Sequence, residues 1–146
     1  MSRRATRELA LKVLFQVDVG RADPVRALEY TARQQQQGLD DEGGSELTPA
    51  DISFAAELVR GALDHLPEID RTISEHAREW SIERMANIDR NVLRLAIYEM
   101  TYRDDIPVSV SINEAVELAK KFGTEDSGRF VNGILGNAAR GLKGSG

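Results

Sequence analysis

Four cations crowd the first dozen residues: Arg3, Arg4, Arg7 and Lys12, opposed there only by Glu8. If this stretch is helical, positions 3 and 7, and 4 and 7, fall on adjoining faces. Cations at a helix N-terminus oppose the macrodipole, which favours acids at that end. Their presence there makes sense if they serve an anion, and the guanidinium fork suits phosphate as well as base edges. A solvated basic arm is the plain alternative. A second set stands near the other end of the chain, with Lys120, Lys121 and Arg129 around the turn Gly123-Thr-Glu-Asp-Ser-Gly-Arg-Phe130. The two lysines close a helix, where cations suit the dipole on grounds of stability alone. Phe130 beside Arg129 fits the way single-stranded RNA is held, by stacking plus phosphate neutralisation. Helical periodicity equally allows Phe130 in the core. Residues 1–12 carry a net +3, residues 120–146 another +3 and residues 13–119 a net −11, within a total of −5. Basic ends enclose an acidic body, a segregation that points to partners of opposite sign.

Catalytic chemistry has little to work with. The absence of cysteine excludes disulfides, thiolate zinc sites, iron–sulfur clusters and cysteine nucleophiles together, and fits a reducing compartment. Two histidines, His65 and His76, are too few for a histidine-rich metal site. Glu114 and Glu117 stand three apart, but no histidine accompanies them, and Ser111-Ile-Asn-Glu114 has the form of a capping box. The nearest approach to a phosphate-cradling loop, Gly136 and Gly141 followed by Lys143, misplaces the lysine by one position. No serine or threonine sits in a nucleophile-elbow sequence. We therefore expect no enzyme, no metal and no cofactor. With 41% hydrophobic and 29% charged residues, no apolar run of about 18 residues and no signal peptide, the chain reads as a soluble, cytoplasmic protein.

The elements that must position these groups are helical nearly throughout. Ala10, Val13, Leu14 and Val17 form a stripe at helical spacing that Gly20 ends. Asp23-Pro24 opens a second helix with Val25, Leu28 and Ala32 on one side. Gly38–Glu46, acidic and glycine-rich, reads as a loop. Thr48-Pro49-Ala-Asp51 opens a third helix. Around Pro67 a fourth begins, with Ile69, Ile73, Ala77 and Trp80 inward, and Ser81 caps a short turn before Met85. The run from Ile88 to Met100 is apolar nearly all round, which marks the most buried helix. A sixth follows the break at Arg103–Pro107, and a seventh starts near Glu125 or Ser127, with Phe130, Val131, Ile134, Leu135 and Ala138 inward. Gly133 and Gly136 within that last helix each cost about 1 kcal/mol relative to alanine, and close packing against a neighbour would account for them. The expectation is an all-α single domain of about seven helices over residues 1–140, with a flexible tail at 141–146.

Several stretches resemble the NusB family of transcription antitermination factors. They are Arg4-Ala-Thr-Arg-Glu-Leu-Ala10, Ile88-Asp-Arg-Asn-Val-Leu-Arg-Leu-Ala-Ile-Tyr-Glu99, Pro107 through Lys120, and Phe122-Gly-Thr-Glu-Asp-Ser-Gly-Arg-Phe-Val-Asn-Gly-Ile-Leu135. The resemblance runs from residue 3 to about 139 and skips Gly38–Glu46. It implies seven helices in two small packed bundles, binding of single-stranded boxA RNA, and pairing with NusE, a small-subunit ribosomal protein. It also implies entry into the antitermination complex on RNA polymerase in support of ribosomal RNA synthesis. Arg3, Arg4, Arg7, Lys12, Lys120, Lys121, Asp126, Ser127, Arg129 and Phe130 match the RNA-contacting region of the family. Asp89 and Glu99 match the side that meets NusE. Position 15, often tyrosine in the family, is Phe15 here and lacks the hydroxyl. Monomer and homodimer are both compatible with the sequence. The same fold precedes a catalytic domain in some ribosomal-RNA methyltransferases, for which 146 residues leave no room.

Overall fold

The computed structural model describes residues 3–36, 47–77 and 79–145, and the expected loop at Gly38–Glu46 lies outside them. The described residues form seven α-helices and one 3-10 turn, with no strand. The helices are α1 (Arg3–Gly20), α2 (Pro24–Gln36), α3 (Pro49–Asp64), α4 (Leu66–His76), α5 (Asn87–Tyr102), α6 (Val108–Phe122) and α7 (Ser127–Ser145). The 3-10 turn spans Ile82–Arg84. The chain divides into two compact units, Met1–Gly61 and Ala62–Gly146, and the division falls in the last turn of α3.

In the first unit, local chemistry sets the helix starts. Asp23 accepts from the Arg26 N–H at 3.1 Å and so caps α2 behind Pro24. Thr48 and Asp51 form a reciprocal box: the Asp51 N–H donates to Thr48 Oγ1 at 3.1 Å, and the Thr48 N–H donates to Asp51 Oδ2 at 3.0 Å. Helix α1 ends differently from expectation. Gly20 is still helical, and it is Arg21 that adopts the left-handed conformation, at φ 56°. The Ala22 N–H then donates to the Gln16 carbonyl at 3.1 Å and closes the helix. Leu9, Ala10, Val13 and Leu14 of α1 are buried, as are Ala27 and Ala32 of α2 and Ala55, Leu58 and Val59 of α3. Val25, expected on the inner side of α2, is 61% exposed; the buried face runs through Ala27, Thr31 and Ala32 instead. Gln16 Nε2 donates to Thr31 Oγ1 at 2.8 Å, and Gln35 Nε2 to the Ala5 carbonyl at 3.2 Å, which pins α2 along α1.

The second unit is built around α5, which packs on α4, α6 and α7. Its Val92, Leu93, Leu95, Ala96 and Ile97 are all buried, as a helix apolar nearly all round requires. Ile69, Ile73 and Ala77 of α4, Ala115, Leu118 and Ala119 of α6, and Val131, Ile134, Leu135 and Ala138 of α7 complete the core. A two-point ion pair ties α4 to α5: Arg94 Nε donates to Asp70 Oδ1 at 2.9 Å and Nη2 to Oδ2 at 3.0 Å.

Three features depart from the sequence reading. Helix α6 begins at Val108 behind Pro107, so Ser111 lies inside it and caps nothing. Its hydroxyl donates instead to Glu99 Oε1 at 2.8 Å, a partner twelve residues away in sequence. Around Gly133 and Gly136 there is open space where a β-carbon would stand, so close helix packing does not explain them. Helix α7 continues to Ser145, through most of the stretch expected to be a flexible tail.

Candidate nucleic-acid interface

The arginine-rich start of α1 is not a uniform basic face. Arg3 and Arg4 are exposed, and the Arg3 guanidinium lies 3.9 Å from the centre of the Phe54 ring. Arg7, one turn deeper, is only 4% exposed, with Thr6 and Glu8 buried beside it in sequence. Its burial takes it out of the exposed set, a correction to its reading as an RNA contact. Lys12 is half-buried and donates to Gln35 Oε1 at 3.4 Å.

The second basic set belongs to the α6–α7 corner. Lys120, Lys121, Asp126 and Arg129 are all exposed. Lys120 Nζ stands 3.6 Å from Glu117 Oε2 across one turn, a pair exposed enough to contribute little to stability. The corner is tight for a definite reason: a β-carbon on Gly123 would collide with Ser127 Oγ. Ser127 is buried, and its Oγ accepts from the Thr124 N–H at 2.9 Å. Its hydroxyl therefore fastens the turn, which corrects its reading as a surface contact. The Phe130 N–H donates to the Asp126 carbonyl at 3.0 Å, which places Asp126 at the cap of α7.

Beside this corner lies a cavity of about 290 Å3 lined by Trp80, Arg84, Asp89, Asp126, Ser127 and Phe130, among others. Trp80 and Phe130 meet edge to face, with ring centres 6.2 Å apart and planes at 84°. Phe130 is half-buried, so it is neither a sealed core residue nor a fully projecting one. Trp80, expected inward, is 51% exposed. Asp89, on the first turn of α5, is 9% exposed and its Oδ1 is buried with no hydrogen-bond partner. Sequence reasoning assigned Asp89 to a protein partner and missed Trp80 and Arg84 as lining residues. Trp80 is the single tryptophan of the chain, and an acid opening an apolar helix was the other available signal. Glu99, also read as a partner contact, is 1% exposed and accepts from Ser111. Its carboxylate is spent inside the fold, which corrects that assignment.

Among the described residues, no group of three His, Cys, Asp or Glu side chains is placed to hold a metal ion. Among them too, no helix is long and apolar enough to cross a membrane.

The NusB family model matches residues 4–140. The chain is 54% identical over 136 residues to the transcription antitermination protein NusB of Desulforamulus reducens, covering 93% of this chain and 88% of that protein. It is 49% identical to the NusB of Symbiobacterium thermophilum, covering 99% and 94%. Among solved structures it is similar to T. maritima NusB, with a TM-score of 0.81 at 40% identity over 96% of this chain and 92% of the other. It is also similar to a chain of the complex of antitermination factors NusB and NusE with double-stranded RNA, with a TM-score of 0.81 at 27% identity over 95% and 96%. On these matches, which run from the arginine-rich start into α7, the chain belongs to the NusB family.

Proposed function

We propose that this chain is a transcription antitermination factor that binds single-stranded boxA RNA together with NusE, the small-subunit ribosomal protein. In that role it joins the antitermination complex on RNA polymerase, supports ribosomal RNA synthesis, and works in the cytoplasm as a binding protein rather than an enzyme. The observation that carries the reading is the α6–α7 corner, where Lys120, Lys121 and Arg129 are exposed and Phe130 lines a cavity with Trp80. Cations neutralise phosphate while aromatic rings stack on unpaired bases, the combination that suits single strands. Arg3 and Arg4 supply phosphate contacts from α1. A net charge of −5 makes RNA binding by the chain alone weak, and a basic ribosomal protein adds the missing positive field while meeting the acidic body. Gel shifts with boxA-like RNA and a scrambled control, with and without NusE, test this. The expected result is a sequence-selective shift that NusE strengthens. Equal shifts with both RNAs, or no effect of NusE, would refute it.

A further inference from the structure

Arg3 stands at the first position of α1, where the helix dipole opposes a cation, and no acid of the first turn offsets it. It is exposed, yet among the described residues it pairs with no carboxylate. What it engages is the Phe54 ring on α3. The guanidinium carbon lies 3.9 Å from the ring centre, well inside the ~6 Å reach of a cation–π contact. Both residues belong to the first compact unit. Phe54 is half-buried, in a helix whose nearby Ala55 and Leu58 are sealed in the core, so the ring is a fixed platform. The carboxylates one turn to either side of it, Asp51 and Glu57, do not pair with Arg3. Asp51 already accepts the Thr48 N–H at 3.0 Å.

A phenyl ring attracts the charge of a guanidinium without supplying an acceptor oxygen. The N–H donors of Arg3 therefore stay unspent while its position is held, which is the state a phosphate contact needs. A free arginine chain gives up much rotamer freedom when it settles on an anion, and a planar fork already in place gives up less. We infer that Phe54 is a positioning residue for RNA: it holds the Arg3 guanidinium so that the N–H edge meets a backbone phosphate of the bound strand. The inference rests on the RNA-binding reading above. Phe54 itself touches no RNA, and its whole contribution passes through Arg3. The contact needs an aromatic face under the cation, so tyrosine can stand in for Phe54 and leucine cannot.

The test measures the affinity of the full chain with NusE for boxA-like RNA by fluorescence anisotropy, around a double-mutant cycle. Phe54→Leu should weaken binding about two- to fivefold, the equivalent of one exposed cation–π contact. Phe54→Tyr should bind as the unaltered chain does. With Arg3→Ala already in place, Phe54→Leu should cost nothing further, since the group that the ring positions is gone. Thermal melts of each variant read folding separately. If Phe54→Leu does not fold, NMR of the unaltered chain decides the matter. The Arg3 side-chain signals, displaced by the ring current of Phe54, should stay displaced when RNA binds. Their return to ordinary positions on binding would overturn the inference, because Arg3 would then leave the ring to reach the phosphate. Equal losses from Phe54→Leu with and without Arg3 would overturn it too, as would unchanged affinity in Phe54→Leu. Unchanged affinity in Arg3→Ala would remove Arg3 from the RNA contacts, and the inference with it, while the RNA reading stood on the α6–α7 corner. No binding of boxA-like RNA by the unaltered chain with NusE would remove the RNA reading itself.

Discussion

The two basic ends of this chain look alike in sequence and differ in structure. At the α1 end, Arg3 and Arg4 are exposed while Arg7 is buried. At the α6–α7 corner, Lys120, Lys121 and Arg129 are exposed, and Asp126 and Phe130 of the same corner line a cavity with Trp80 and Asp89. A cluster of cations in sequence is therefore not yet a binding surface. At the first end the cluster is divided between solvent and core. At the second, a turn brings the charges beside groups that can recognise more than charge. The first end presents two exposed cations, whereas the second sets exposed cations on the elements that also carry Phe130.

The division within the α1 cluster is widest between Arg7 and its neighbours Arg3 and Arg4. Arg7→Ala should cost about 1–3 kcal/mol of folding stability, because it removes a side chain that is almost wholly buried and leaves its place unfilled. Arg3→Ala and Arg4→Ala should each stay within about 0.5 kcal/mol. Urea denaturation of the three variants measures both, and equal costs would erase the division of the cluster.

Phe130 tests the other end. Phe130→Ala should weaken RNA binding by about 1–3 kcal/mol through lost stacking. Its folding cost should be about 1 kcal/mol, the scale of its edge-to-face pairing with Trp80. A melt shift equivalent to the 3–5 kcal/mol of a sealed core phenylalanine would move it out of the interface.

Asp126 should have a smaller effect of opposite sign. It is exposed beside Lys121 and Arg129 and repels phosphate, so Asp126→Asn should tighten RNA binding, most at low salt. Asparagine caps nearly as well, and stability should move by well under ~1 kcal/mol. Filter binding across salt concentrations reads the gain, and weaker binding at unchanged stability would mean that the carboxylate accepts from a base.

The smallest effects are expected away from both ends. Arg21 holds a left-handed conformation that glycine adopts without strain, so Arg21→Gly should stabilise by up to about 1 kcal/mol. Gly133 lies in a helix interior with open space around it, so Gly133→Ala should gain about as much. Calorimetry detects both shifts, and a loss of stability in either variant would contradict the local geometry given for it.

Local signals were legible in the sequence and distant ones were not. Asp23-Pro24 and Thr48-Pro49-Ala-Asp51 announced α2 and α3 because a cap and its helix lie within four residues. The all-round apolar run of α5 announced the centre of the second unit for a similar reason. Ser111 was misleading because its real partner, Glu99, sits on another helix. Arg7 was misleading because spacing groups residues on a face without saying how far the core extends toward the helix end. Within the interface, the exposed cations could be named from charge and family resemblance. The cavity could not, because Trp80, Asp89 and Phe130 meet only when the turn after α4, the start of α5 and the start of α7 are folded together.

The salt dependence of RNA affinity separates cations that touch phosphate from those that do not. Exposed Arg3, Arg4, Lys120 and Lys121 are proposed to touch it. For the chain with NusE and boxA-like RNA, the slope of log affinity against log salt should fall by about 0.7 for each phosphate contact removed from a single strand. Replacing Arg3 and Arg4 together with alanine should therefore flatten the slope, and replacing Lys120 and Lys121 together should flatten it independently. Slopes that match the unaltered protein in both double variants would contradict the account.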